Sequence, residues 1–325
     1  MARRPTIEEQ LSHLRALRDE PNPEVVRQSL TRALRSRSSL LVAEAARATA
    51  EQGLVDLVEE LEKALERLLD RPAQADKGCT AKSALVRTLL ELEAPAGEIF
   101  KRGAYHVQPE PAFGGPVDAA VELRSLCVRG LLQIQHPEAM LVATDALMDK
   151  EWPVRRETAR ALVLTGRLEV ESLLRLKALS GDPEPEVVGQ CLASLLRLFP
   201  NRSLPFVHRF LQGSSRGVIE VAALALGESR LEEAVDLLLT ALREAPNPDL
   251  RRTFLLALAT TRREQALDFL LGRVLSASTV EAHEALSALS VNRHDEALRQ
   301  RVLTGVTRRG EEAVRLRFER EFALD

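Results

Sequence analysis

The sequence predicts an all-α fold, a right-handed α-solenoid of antiparallel helix pairs, and three observations lead there. Five short phrases are near-copies of one another: Pro23-Glu24-Val25-Val26-Arg27, Trp152-Pro153-Val154-Arg155-Arg156, Pro185-Glu186-Val187-Val188, Arg216-Gly217-Val218-Ile219-Glu220 and Pro248-Asp249-Leu250-Arg251-Arg252. The last four begin at residues 153, 185, 216 and 248, a spacing of 32, 31 and 32, and a fixed period of this length marks stacked helix pairs. The apolar content, 45% of 325 residues, is drawn mainly from Leu, Ala and Val, while aromatics make up 3% and strand signals are nearly absent.

The N-terminal half carries loosely spaced helical stretches at 7–17, 23–34, 39–52, 55–69 and 82–92, then a long one at 116–135 and another at 138–148. The clearest unit follows. Residues 171–179 form a first helix, Gly181-Asp182-Pro183 stops it, and Pro185 opens a second, where proline costs no hydrogen bond. Val187, Val188, Cys191, Leu192, Leu195 and Leu196 make one wide apolar stripe on that helix. The plan repeats at 203–211 with 218–226, at 231–242 with 248–259, and at 264–275 with 280–289, and a last pair occupies 295–306 and 311–322. The expected organisation is one solenoid over 1–325, with looser repeats at 1–102, a connector at 103–118, regular repeats at 119–309 and a polar capping helix at 310–325.

A formal net charge of −3 argues against a dedicated nucleic-acid binder. Cys79, Cys127 and Cys191 are odd in number and far apart, which gives neither a disulfide framework nor a paired zinc spacing, so reduced core cysteines are expected. Met1-Ala2-Arg3-Arg4-Pro5 leads into charged residues and no long apolar run follows anywhere. The expectation is no signal peptide, no membrane span and a cytoplasmic protein.

One segment breaks the rhythm. Residues 103–118 hold the only tyrosine, three of the 16 prolines and three of the 16 glycines. Pro109 and Pro111 forbid a helix, Gly114-Gly115 permits a tight turn, and Pro116 with Asp118 reads as the start of the next helix. Two readings stay open. In one, the segment is a connector whose Tyr105, Val107 and Phe113 plug the groove between helix pairs. In the other it is a binding loop, because Tyr105, His106, Gln108, Glu110 and Phe113 combine aromatics with hydrogen-bonding side chains.

Catalytic and metal chemistry find little support. His106 and Glu110, with Asp118 or Glu122, have the right donor types for a metal, but one histidine among scattered acids is a weak signal, and no cofactor is expected. The segment Asp76-Lys77-Gly78-Cys79-Thr80-Ala81-Lys82 has one glycine and lacks phosphate-loop spacing, so a tight turn ahead of a helix is expected. Cys79 has no nearby histidine in sequence to activate it.

The turn and second-helix openings, Asn22-Pro23…Arg27, Asp182-Pro183…Val187-Val188 and Asn247-Pro248…Arg251-Arg252, resemble those of the HEAT family, in particular the short bacterial repeats also found in phycobilisome lyase proteins. The resemblance implies a ladder between neighbouring repeats from a turn Asp or Asn to an Arg, with Asn22 and Arg27, and Asn247 and Arg252, at matching places and a break at Gly189. It also implies that second helices line a concave face, towards which Arg27, Arg155, Arg156, Arg251 and Arg252 would point, joined by Arg124 and Arg129. The function expected is a non-catalytic scaffold that binds a protein partner through that face and the 103–118 segment. Nucleic-acid binding by the same arginines, as in HEAT-like DNA glycosylases, is the second reading, and an enzyme or metal site around His106 and Glu110 the third. HEAT-like deoxyhypusine hydroxylases carry several His-Glu dyads, and this chain has one, His283-Glu284.

Overall fold

A computed structural model describes residues 5–245 and 247–323; Met1 to Arg4, on which the reading of the N-terminus rested, lie outside it, as do the last two residues of the expected capping segment. The chain forms two compact units, Met1–Thr165 and Gly166–Asp325, and both are all-α solenoid stacks of antiparallel helix pairs.

The first unit contains α1 (Ile7–Ala16), α2 (Pro23–Leu34), α3 (Ser39–Glu51), α4 (Val58–Leu69), α5 (Thr80–Glu91), α6 (Gly97–Ala104), α7 (Val121–Gln133), α8 (Ala139–Ala146) and α9 (Trp152–Ala161). The pairs are α2 with α3, α4 with α5, α6 with α7 and α8 with α9. One row runs α1, α3, α5, α7, α9 and the other α2, α4, α6, α8. Hence α2, opened by Pro23, is a first helix, packed against α3 and not paired with α1, whereas α9, opened by Trp152-Pro153, lies in the opposite row. The shared phrase signals a helix start, because proline at the first turn gives up no helical hydrogen bond and suits that end in either row.

The second unit contains α10 (Glu169–Ser180), α11 (Pro185–Leu198), α12 (Pro200–Leu211), α13 (Arg216–Ser229), α14 (Glu232–Glu244), α15 (Pro248–Thr261), α16 (Glu264–Ser276), α17 (Thr279–Leu289), α18 (Glu296–Arg309) and α19 (Glu312–Glu321). The row α11, α13, α15, α17, α19 packs continuously, as the 31–32-residue period requires. Pro200 opens α12 three residues earlier than expected, since it serves as an N-terminal helix residue directly after α11 ends at Leu198. In α19, Arg315–Glu319 and Arg317–Glu321 pair at 2.6 and 2.7 Å one turn apart, while Phe318 and Phe322 stack inward at 4.9 Å.

The expected ladder is made differently. Asn22 and Asn247 cap their own helices, accepting hydrogen bonds of 3.0 Å from the amides of Glu24 and Leu250. Carboxylates of the following repeat receive the arginines: Arg27–Asp56 at 2.6 Å, Arg216–Asp249 at 3.0 Å, Arg251–Glu281 at 3.4 Å and Arg252–Glu284 at 3.7 Å. A neutral amide beside orphan helix N–H groups is a better cap than an ion-pair partner, and the carboxylates carry the charge that an arginine seeks.

Gly189 breaks the arginine pattern for a packing reason. A Cβ there would come within 2.7 Å of the Val221 Cβ on α13, and one at Gly227 would lie 2.5 Å from the Ala257 carbonyl oxygen on α15. The two glycines let three successive helices of the continuous row approach closely. Gly227→Ala forces a methyl against backbone that cannot rotate away, so a loss of about 1–3 kcal/mol is expected in urea unfolding. Gly272→Ala, on the exposed side of α16 with nothing within 4 Å, is the control and should gain about 0.5–1 kcal/mol from helix propensity.

Candidate functional site

The irregular segment is a small hairpin. Strands β1 (Pro109–Glu110) and β2 (Val117–Asp118) pair antiparallel, with Pro109 opposite Asp118 and Glu110 opposite Val117. Residues 111–116 form the tip, where Gly114 and Gly115 take positive φ of 92° and 126°. Consequently Pro116 does not open α7, which begins at Val121: the strand pairing claims 117–118 first. The hairpin grows from α6, a helix absent from the sequence reading because its eight residues include two glycines. Both glycines are close contacts, Gly97 against the His136 ring and Gly103 against the Cys127 Sγ.

No aromatic plugs a groove here. Phe113 is completely exposed at the tip, and Val107, Val117 and Tyr105 are more than half exposed. Polar groups fix the hairpin instead. Gln108 is 2% exposed, and each of its polar groups is used. Its Oε1 accepts from the fully buried Lys82 Nζ at 2.7 Å, and its Nε2 donates to the Asp76 carbonyl and to Glu110 Oε1, both at 2.7 Å. Its backbone N–H donates to Asp118 Oδ1 at 3.0 Å, and its carbonyl accepts from the Ala119 amide at 2.9 Å.

Asp76 lies 3.5 Å from Lys82 Nζ and accepts from the amides of Ala81 and Lys82 at 2.9 and 3.0 Å. The start of α5 therefore holds a carboxylate of its own chain where a phosphate loop would hold phosphate. Glu110 accepts from the Gly78 amide at 2.7 Å. The two segments that stood apart in the sequence, 76–82 and 103–118, are one structure.

Arg124, 3% exposed on α7, closes the other side of the hairpin. It donates to Asp118 Oδ2 at 2.5 Å, to the His106 carbonyl at 3.0 Å, and through two nitrogens to the Asp149 carboxylate at 2.8 and 3.0 Å. Burial pushes Asp118 up, but the amides of Gln108 and Ala120 and the Arg124 guanidinium outweigh it and hold this carboxyl below the ordinary 3.8. Tyr105 donates to Asp145 Oδ2 at 2.7 Å, and burial followed by that bond pushes the phenol up to about 12.

His106 is half-buried, and its Nε2 is enclosed without a hydrogen-bond partner. Burial, then the Lys82 ammonium and more weakly Arg102, lower its basicity below the ordinary 6.5, against the opposing pull of Gln108 and Asp118. The folded hairpin thus favours neutral imidazole, and an opened one takes up a proton more readily. Stability from this site is present above pH 6.5 and is lost as pH falls through the lower folded value. Exchange of the Gln108 and Ala119 amides, corrected for intrinsic rates, should rise over that window in the wild type and stay flat in His106→Gln.

The remaining arginines, Arg129 excepted, are occupied. Arg155 is buried and donates to the carbonyls of Asp149 and Lys150 at 2.8 and 2.9 Å, closing the turn before its own helix. Arg156 stacks over Trp152 at 5.1 Å and pairs with Glu157 at 2.9 Å. Arg251 and Arg252 hold Glu281 and Glu284 as described, and Arg129 is exposed. The structure brings Tyr105, His106, Gln108, Glu110, Phe113 and Arg124 together and leaves Arg251 and Arg252 in the other unit.

Glu122 pairs with Arg87, and among the described residues no three His, Cys, Asp or Glu side chains converge as metal ligands. His283 meets the Ala313 carbonyl at 3.2 Å. All three cysteines are buried; burial pushes the thiols of Cys79 and Cys191 up to about 12 and that of Cys127 further, which keeps them protonated. Among the described residues no helix is long and apolar enough to cross a membrane.

Lys82 and Arg124, which tie the hairpin to α5 and α7, look like ordinary charged residues in sequence. The available signal for Lys82 was a lysine within an otherwise apolar helical face next to Ala81, Leu85 and Val86.

The family described as HEAT repeats matches residues 172–259 and 204–290. Similar solved structures include human deoxyhypusine hydroxylase in complex with glycerol, at 21% identity and a TM-score of 0.33 over 82% of this chain and 96% of that one. Another is the complex of CpcE and CpcF of phycocyanin lyase from Nostoc sp. PCC7120, at 16% identity and 0.38 over 76% and 94%. An engineered protein matches at 15% identity and 0.39 over 94% and 91%. No curated protein matches the chain.

Proposed function

We propose, for a chain whose residues 172–290 are HEAT repeats, a non-catalytic cytoplasmic scaffold that binds a protein partner, with the 105–118 hairpin as a specialised contact. The helical stacks supply the frame, and α19 serves as its polar cap. The observation that carries the reading is the contrast within the hairpin: a completely exposed Phe113 on a base where the buried Gln108 and Arg124 are hydrogen-bonded on every side. A large apolar side chain held in water by a rigid support meets a partner at little cost in ordering, which is how a few residues come to dominate an interface. Gln108 and Arg124 enter as supports, since both are buried, while Phe113, Val107 and Tyr105 are the contact surface.

Apart from Arg129, the arginines proposed for a concave face are engaged by carboxylates, carbonyls or an aromatic ring, which supports nucleic-acid binding less well. Affinity capture from the native cell, run with wild type and Phe113→Ser/Val107→Ser, tests the proposal. Both residues are exposed and should tolerate the change. Loss of the same partners from the double variant is the expected result. Equal retention of them, or recovery of nucleic acid in place of protein, overturns the reading.

A further inference from the structure

A second site lies at the opposite end of the first unit from the hairpin in sequence, and it rests on different residues. The helices α1, α2 and α3 line an open groove of about 480 Å³, within the roughly 300–1,000 Å³ usual for small-molecule sites. Helical periodicity builds it. Gln10, His13 and Leu14 fall at i, i+3 and i+4 on α1, and Ser29, Arg32, Ala33 and Ser36 at i, i+3, i+4 and i+7 on α2. Each helix therefore turns one face to the same space. Leu14 and Leu41 form an apolar floor, each almost completely covered by the surrounding chain.

The polar side of the groove is cationic and unoccupied by the protein's own groups. Arg32, His13 and Ser29 line it, and none makes a hydrogen bond or ion pair among the described residues. Glu9, the one lining carboxylate, is turned to the start of α1, where it accepts from the Thr6 amide at 2.6 Å in a capping box. Gln10 is likewise engaged, donating to the Pro5 carbonyl at 3.0 Å. A free guanidinium, an imidazole and a hydroxyl over an apolar floor suit a ligand with one anionic end and an aliphatic body. Guanidinium pairs with carboxylate in a planar, two-bond geometry, and the floor takes the hydrocarbon.

We infer that this groove binds a small amphipathic carboxylate, with Arg32 holding the carboxylate, Ser29 and His13 beside it, and Pro5 and Ala33, above the covered Leu14 and Leu41, against the aliphatic chain. The assignment does not depend on the scaffold reading, because none of these residues belongs to the hairpin.

Titration calorimetry of the full chain tests it with three probes of one chain length: octanoate, octanol and octyltrimethylammonium. Octanoate should bind one to one, octanol more weakly, and the cation not at all. In Arg32→Gln, octanoate should weaken about tenfold or more while octanol is unchanged, the loss expected for a hydrogen bond to a charged group. Arg32 is exposed and unpaired, so this variant should keep the wild-type helical signal and melting curve. Ala33→Leu, which fills the groove without touching its charge, should weaken both octanoate and octanol. Failure of octanoate to bind at millimolar concentration overturns the inference. So does equal binding of the anionic and cationic probes, or an octanoate affinity untouched by Arg32→Gln.

Discussion

Arg124→Ala should cost about 3–5 kcal/mol of stability and free the hairpin from α7, because it strips two shielded carboxylates of their cation at once. Asp118 would keep the amides of Gln108 and Ala120, whereas Asp149 would lose both guanidinium bonds of 2.8 and 3.0 Å. The His106 carbonyl would lose its donor too. Denaturant unfolding measures the global loss. Hydrogen exchange of the amides at 106–119 measures the local one, and it should exceed the change in α2 or α3, which make no contact with Arg124. Arg124→Lys should recover only part of the loss, since one ammonium cannot reproduce bonds to three separate acceptors. A stability change under about 1 kcal/mol in Arg124→Ala would show that the network is worth no more than a surface ion pair.

Lys82→Ala should be comparably damaging, by about 3–5 kcal/mol, for a different reason. Lys82 is a long side chain with no exposure at all, so its removal leaves a cavity as well as an unpaired Asp76 and an unsatisfied Gln108 Oε1. Lys82→Met separates the two contributions. It fills most of the volume without the charge, and it should restore the packing share while leaving the polar loss. Pairing Lys82→Met with Gln108→Leu in a double-mutant cycle should give a coupling of about 0.5–3 kcal/mol, as expected for residues in direct contact. Strict additivity of the two changes would mean that the 2.7 Å bond between them contributes nothing to holding the hairpin.

These two residues mark the boundary of what periodicity can reveal. Repeats at 31–32 residues were legible because every second helix repeats the same apolar stripe, as Val187, Val188, Cys191, Leu192, Leu195 and Leu196 do on α11. The exceptional segment was legible by contrast with them. Its internal arrangement was not, since Asp76, Lys82, Gln108, Asp118 and Asp149 are up to about seventy residues apart and none is unusual where it stands. The row assignment of α2 failed for a related reason: Pro23 with its Asn22 cap specifies where a helix begins and is silent on which neighbour it meets.

Sequence by itself determined the helical class, the repeat length and the place where the repeat is interrupted, because these follow from local propensity and from the spacing of apolar side chains along one chain. Tertiary structure alone decided that the interruption is a hairpin, that Lys82 and Arg124 are its internal supports, and that Phe113 is left to solvent. The outcome turned on which polar groups could find partners once buried. Gln108 is covered because all its donors and acceptors are met, and Phe113 is exposed because the hairpin's tip has no helix above it to receive a ring.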